Sequence, residues 1–221
     1  MSYPTTNLKP AQWLLLVALL ACYPLSFITP ARWAWENGVI EDSQVVILLG
    51  GLVSAFLTWR HERRGRIAML ALCVMPIWAI LAARELSWGA VFLPPLEYTH
   101  DGPVFSSKML AYKPLVTPTV ALLLAWSGWV AWRHRVDKLV LRMIAGGMFP
   151  WFALAIAAVA MVGSGCAEGH LSCGLVIVPE HEEALEELVE LVAYGSIVFA
   201  QALIFRAHAA AVSAVRLAQA H

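Results

Sequence analysis

The sequence predicts an all-α fold: an integral membrane bundle of six transmembrane helices, with both termini on the cytoplasmic side. Three observations predict it. The chain has 221 residues, 60% of them hydrophobic and 14% charged, whereas a soluble domain carries about a quarter charged residues. Six apolar stretches reach or approach the roughly 20 residues that a spanning helix needs. Relative to those stretches, 13 of the 15 Asp and Glu residues fall toward one side and 11 of the 15 Lys and Arg residues toward the other.

The first span is read from Ala11 to Thr29, with Lys9 before it. Leu19-Leu20-Ala21-Cys22 resembles a lipoprotein signal site, but a single preceding cation and a Leu at the second position before the cysteine favour a retained helix. The second span, Ile40 to Trp59, is entered through Glu36-Asn37-Gly38-Val39-Ile40-Glu41-Asp42, where Asp42 is expected to cap the helix. Arg60-His61-Glu62-Arg63-Arg64-Gly65-Arg66 then forms a basic loop. The third span, Ile67 to Trp88, closes with Arg84-Glu85-Leu86-Ser87-Trp88-Gly89, and Trp88 reads as an interfacial anchor. The connection from Gly89 to Lys113 is rich in Pro and Gly and is expected to fold back over the helix ends.

The fourth span, Pro114 to Trp132, is followed by Arg133, Arg135, Lys138 and Arg142. The fifth is read from Leu141 to Val162. The loop after it holds Cys166 and Cys173, whose expected state outside the cytoplasm is a disulfide; with His170, their spacing also suits zinc. The sixth span, Glu187 to Phe205, follows Glu180-His181-Glu182-Glu183-Ala184-Leu185-Glu186. Lys and Arg mark cytoplasmic loops, so the acidic side lies outside. The whole chain, 1–221, reads as a single transmembrane domain.

Pro24, Pro76, Pro118 and Pro150 fall within spans, where each removes a backbone donor and can kink its helix. Four kinks leave room for a central cavity, which Trp78 and Trp151, both near mid-span, would line or pack. Cys22 and Cys73 lie in apolar spans and read as packing residues. No basic face suited to nucleic acid is present. The lipid bilayer is the one partner that composition implies.

The candidate site lies on the acidic side. Helical spacing places Glu183, Glu187, Glu190, Tyr194 and Gln201 on one stripe. Glu190 falls about a turn inside the apolar segment, where a lipid-facing carboxylate costs about 2–3 kcal/mol or more. The stripe should therefore face the bundle interior. Glu85 and Glu190 are the candidate catalytic acids, and Glu36, Glu41, Trp88, Tyr194 and Gln201 the candidate ligand-binding residues. Arg84 is expected to pair with an acid on another helix, because side chains one apart diverge on a helix. Three histidines share this side, His100, His170 and His181. Carboxylates from several helices with a histidine form metal sites in bundles, so Glu85, Glu187, Glu190 and His181 are the candidate ligands of a divalent metal.

The ordered set of Glu-Asn-Gly-Val-Ile-Glu before the second span, Arg-Glu-Leu-Ser-Trp-Gly ending the third, and a Glu-rich entry to the last is similar to a group of small bacterial inner-membrane proteins. That group carries E-[DN]-G-x-x-E and E-x-S-W-G boxes at like positions. The resemblance runs from Glu36 to Trp88 and from Glu183 onward. It implies an inner-membrane location and marks Glu36, Glu41, Glu85 and Trp88 as positions to test, and it carries no reaction. Relatives with E-E-I-S-W-G-Q differ from this chain, which has Arg84 for the first Glu and Ala90 for the Gln.

The leading functional expectation is a periplasm-facing carboxylate site for a divalent metal or a small polar or cationic ligand, with metal-dependent membrane catalysis as its enzymatic form. The alternatives are a proton- or cation-coupled transporter, and an accessory subunit that docks a basic partner.

Overall fold

The computed structural model describes residues 9–63, 65–99, 102–171, 173 and 181–219. His100 and Glu180 lie outside the described residues. The chain folds as α1 (Lys9–Ser26), α2 (Ala31–Ala34), α3 (Val39–Glu62), α4 (Arg66–Glu85), a 3-10 turn (Ser87–Phe92), a small hairpin of β1 (Glu97–Thr99) and β2 (Gly102–Val104), a second 3-10 turn (Ser107–Met109), α5 (Lys113–Arg133), α6 (Val136–Ala145), α7 (Trp151–Ala167) and α8 (Glu182–Gln219). Four helical stretches are long and apolar enough to cross a membrane: Ala31–Glu62, Arg66–Glu85, Lys113–Arg133 and Glu182–Ala211. Two apolar helices are shorter, Pro10–Ser26 and Trp151–Ala167.

Helix α8 packs against α1, α3 and α7, and α4 joins α3 to α5. The α7–α8 seam is built from small residues. Ala153, Ala157, Ala160 and Ser164 on α7 are buried, as are Ala193, Ser196 and Ala200 on α8. Where lipid surrounds a bundle, small side chains let helix backbones approach and gain dispersion contacts. The main apolar cluster joins Leu48 and Ala55 of α3, Ala71, Trp78 and Ala82 of α4, and Tyr194 of α8. By contrast, α5 leaves Leu115, Leu122, Leu124, Trp126, Trp129 and Trp132 exposed.

Three sequence boundaries are corrected. The third span ends at Glu85, not Trp88, because Ser87, Trp88 and Gly89 adopt φ of 44°, 58° and 96°; successive left-handed residues cannot continue a right-handed helix. The fifth span, read from Leu141 to Val162, is two helices. Gly147 turns at φ 65°, and Pro150 disfavours helical geometry at Phe149 while starting α7. Pro150 therefore divides the segment instead of kinking it. The last helix begins earlier and runs further than Glu187 to Phe205.

The space assigned to a central cavity at Trp78 is filled. Trp78 is buried in the main cluster, while Trp151 sits at the start of α7 and is 61% exposed. The connection after α4 does fold back over the helix ends. Gly102 lies so close to the Trp35 ring that an added Cβ would sit 2.6 Å from it, and the Phe105 amide donates to Glu36.

Candidate functional site

The acidic side chains gather where α3 and α8 begin and α4 and α7 end. On α8, one face carries Glu187, Glu190, Tyr194 and Gln201, and each finds a partner on another helix. Gln44 of α3 donates through Nε2 to the Glu187 carboxylate at 2.7 Å and to its backbone carbonyl at 2.9 Å. Ser164 of α7 donates to Glu190 Oε1 at 2.9 Å. Tyr194 donates to Glu85 Oε1 of α4 at 2.7 Å. Glu85 and Glu190 are both buried. A buried carboxylate without donors is costly, which is why each has one.

Arg84 supplies the positive charge. Its Nη2 lies 3.6 Å from Glu190 and its Nε 3.9 Å from Glu85, with half of the Arg84 side chain exposed. It reaches across to Glu190 on α8, as expected, and also lies within ion-pair distance of its neighbour Glu85, which was not expected. Among the described residues, no other Lys or Arg makes an ion pair with Glu41, Glu85, Glu187 or Glu190. The charges of Glu41, Glu85, Glu186 and Glu190 all act on Glu187. One guanidinium thus serves a group of several carboxylates.

About two further turns along α8, Gln201 is fully engaged. It accepts from Trp78 Nε1 at 2.7 Å and donates to the Gly51 carbonyl at 2.9 Å and Ser54 Oγ at 2.6 Å. Gly51 makes this possible: a Cβ there would lie 3.0 Å from the Trp78 ring. Gln201 therefore ties α3, α4 and α8 together in the apolar layer.

The two sequence boxes serve mainly as a joint. Glu36 accepts from Ser87 Oγ at 2.8 Å and from the Phe105 amide at 3.0 Å, so the boxes bond to each other. Asn37 takes a left-handed φ of 63°, a conformation its short polar side chain tolerates. At Gly38 an added Cβ would sit 2.6 Å from the carbonyls of Trp33 and Trp35. Glu41, three residues past the Gly38 N-cap, reaches back to accept from the amide of Asn37, the residue before the cap. Asp42 sits with Glu41 in the first turn of α3, where acids complement the helix dipole. Glu36 and Glu41, expected as ligand-binding residues, accept from Ser87 and from the backbone amides of Phe105 and Asn37. Trp88 accepts at its carbonyl from Tyr112 at 2.7 Å, and Lys113 Nζ lies 5.9 Å from its ring centre.

The expected metal set is not assembled. Glu85, Glu187 and Glu190 take donors from Tyr194, Gln44 and Ser164. His181 turns its ring edgewise onto Phe27, with centroids 4.9 Å apart. Among the described residues, no three His, Cys, Asp or Glu side chains are placed to hold a metal ion. Cys166 and Cys173 are disulfide-bonded, with Cα atoms 5.7 Å apart, which removes the zinc alternative with His170. His170 instead contacts Glu168 at 2.6 Å and holds that carboxyl below its usual range.

Three partners escaped the sequence reading. Gln44 follows Glu41, Asp42 and Ser43 at the start of α3, and Ser164 stands among small residues near the end of α7, so neither stands out in the sequence. Both are buried. Gln44 Oε1 and Ser196 Oγ have no hydrogen-bond partner among the described residues; such an orphan costs about 1–3 kcal/mol. Trp78, read as lining a cavity or packing, donates to Gln201.

These features define a class: an all-α protein with helices apolar enough to span a membrane and a carboxylate cluster buried at one end of its bundle. Compared with known proteins, the chain matches no family model, no curated protein and no solved structure.

Proposed function

We propose that this is a polytopic bacterial inner-membrane protein that binds a small cationic ligand at the carboxylate cluster, from the periplasmic side. Six helices cross the bilayer in this reading: α1, α3, α4, α5, α7 and α8. The 18 residues of α1 and 17 of α7 fall within the lower range for a span, roughly 17–25 residues. Arg60, Arg66 and Arg133 lie at helix ends remote from the acids, and the positive-inside rule makes that end cytoplasmic. Both termini are then cytoplasmic. The resemblance to small inner-membrane proteins with the same two boxes supports the location.

The observation that carries the ligand is the charge imbalance. Among the described residues Arg84 is the one Lys or Arg that pairs with Glu85 and Glu190, while Glu187 has acidic neighbours and no such partner, and removing charges from water is expensive unless opposite charge accompanies them. A cation or protons supply the balance. The missing grouping of metal ligands favours a ligand held by several separate acceptors over a chelated divalent ion.

The test is thermal unfolding of protein purified in mild detergent, across pH and with added cations. A cation that raises the melting temperature of wild type, but not of Glu187→Gln or Glu190→Gln, supports the proposal. A melting temperature unmoved by any cation, with no proton uptake on lowering pH, overturns it.

A further inference from the structure

We infer that the ligand is a small organic cation bearing N–H donors, a primary ammonium or a guanidinium, seated between Gln44 and the carboxylates of Glu187 and Glu190. The inference rests on the proposed cation site. It comes from the orientation of one amide.

Gln44 is completely buried, and its Oε1 has no partner among the described residues. Its Nε2 is held twice by the same residue, through the Glu187 carboxylate and the Glu187 carbonyl. Flipping the amide would turn its oxygen onto two acceptors, so the orientation is fixed by chemistry and not by atom assignment. The free oxygen therefore stays one bond angle from the nitrogen that Glu187 grips. It remains an acceptor within the acidic cluster.

The rest of the cluster is also short of donors. Glu187 receives one side-chain donor, from Gln44. Glu190 takes both Ser164 and Arg84 on the same oxygen. A group fitting this place must donate in several directions and carry positive charge. Bridging water donates twice but brings no charge. A bare metal ion needs its ligands gathered on one small shell, and the described residues offer no such group. An alkylammonium has three N–H donors and a full charge, and spans acceptors on separate helices.

The experiment compares four monovalent cations that differ in N–H donors, with one divalent metal ion beside them. Methylammonium, tetramethylammonium, sodium, potassium and magnesium are each added to wild type and to Gln44→Met, with melting temperature as the readout. Line broadening of nitrogen-15 methylammonium on wild type provides a second measurement that needs no variant. The expected result is stabilisation by methylammonium but not tetramethylammonium, with affinity about tenfold weaker in Gln44→Met. If Gln44→Met fails to fold, broadening that Glu187→Gln abolishes supports the inference in its place. Equal stabilisation by tetramethylammonium or a metal ion overturns the donor inference and leaves the cation site standing. No effect of any cation overturns both.

Discussion

The Tyr194 hydroxyl donates to the Glu85 carboxylate at 2.7 Å, joining the end of α4 to the first third of α8. Both groups are buried, at 1% and 7% exposure, so neither has ready access to water as a substitute. Tyr194→Phe should destabilise the protein by about 1–3 kcal/mol, since it leaves a buried acceptor without its donor. Glu85→Gln retains an acceptor for Tyr194 and should cost less. Thermal unfolding in one detergent ranks the two; equal losses would show that the hydrogen bond does not decide the effect.

Gly51 admits the Trp78 ring. A methyl group there would meet the ring at 3.0 Å and Val198 at 3.1 Å. Gly51→Leu is expected to force α3 away from α4 and α8, at a cost of about 1–3 kcal/mol or more. Gln201→Leu should cost a similar amount by stranding Trp78 Nε1. Trp78 fluorescence should shift to the red in both variants. An unshifted spectrum at wild-type stability would contradict this.

Gly89 adopts φ 96°, and a Cβ there would lie 2.9 Å from the Tyr112 hydroxyl. Gly89→Ala is therefore predicted to lose about 1–2 kcal/mol from the left-handed backbone alone, with the Tyr112–Trp88 contact disturbed as well. Adding Tyr112→Phe to Gly89→Ala removes the clash but not the backbone cost. Only partial recovery of stability is expected, and the double mutant's melting temperature measures it.

His170 holds the Glu168 carboxyl below its usual range, chiefly by hydrogen bonding. A depressed folded-state value means that the unfolded chain binds the proton more readily. The contribution is then present above the ordinary glutamate value, about 4.3, and is lost as pH falls through the depressed one. Hydrogen exchange in the loop closed by Cys166 and Cys173 should quicken on acidification below that window. His170→Ala should move the onset upward in pH; an unchanged onset would contradict the pairing.

The stripe on α8 was legible because helical period alone fixes which residues share a face, and Glu190, Tyr194 and Gln201 are too polar for lipid. Their partners were harder to find. Nothing in spacing distinguishes Gln44 from other polar residues near a helix start, and nothing says that Ser164 faces Glu190. Long-range pairing depends on which helices touch, and periodicity within one helix does not contain that. The break at Gly146 to Pro150 was missed for a different reason: hydropathy continues across it, while backbone geometry does not. The donors that Glu36 and Glu41 accept from, Ser87 and two backbone amides, were not legible, because they depend on where the loops fold back.

The bonds around Gln201 also determine how the bundle can move. Three hydrogen bonds from one side chain fix the register of α8 against α3 and α4. Sliding α8 by one helical turn, about 5.4 Å, would break all three together in a layer without water. That layer resists shear. Helix α5 packs chiefly on α4, so a displacement of α5 leaves the three bonds at Gln201 in place.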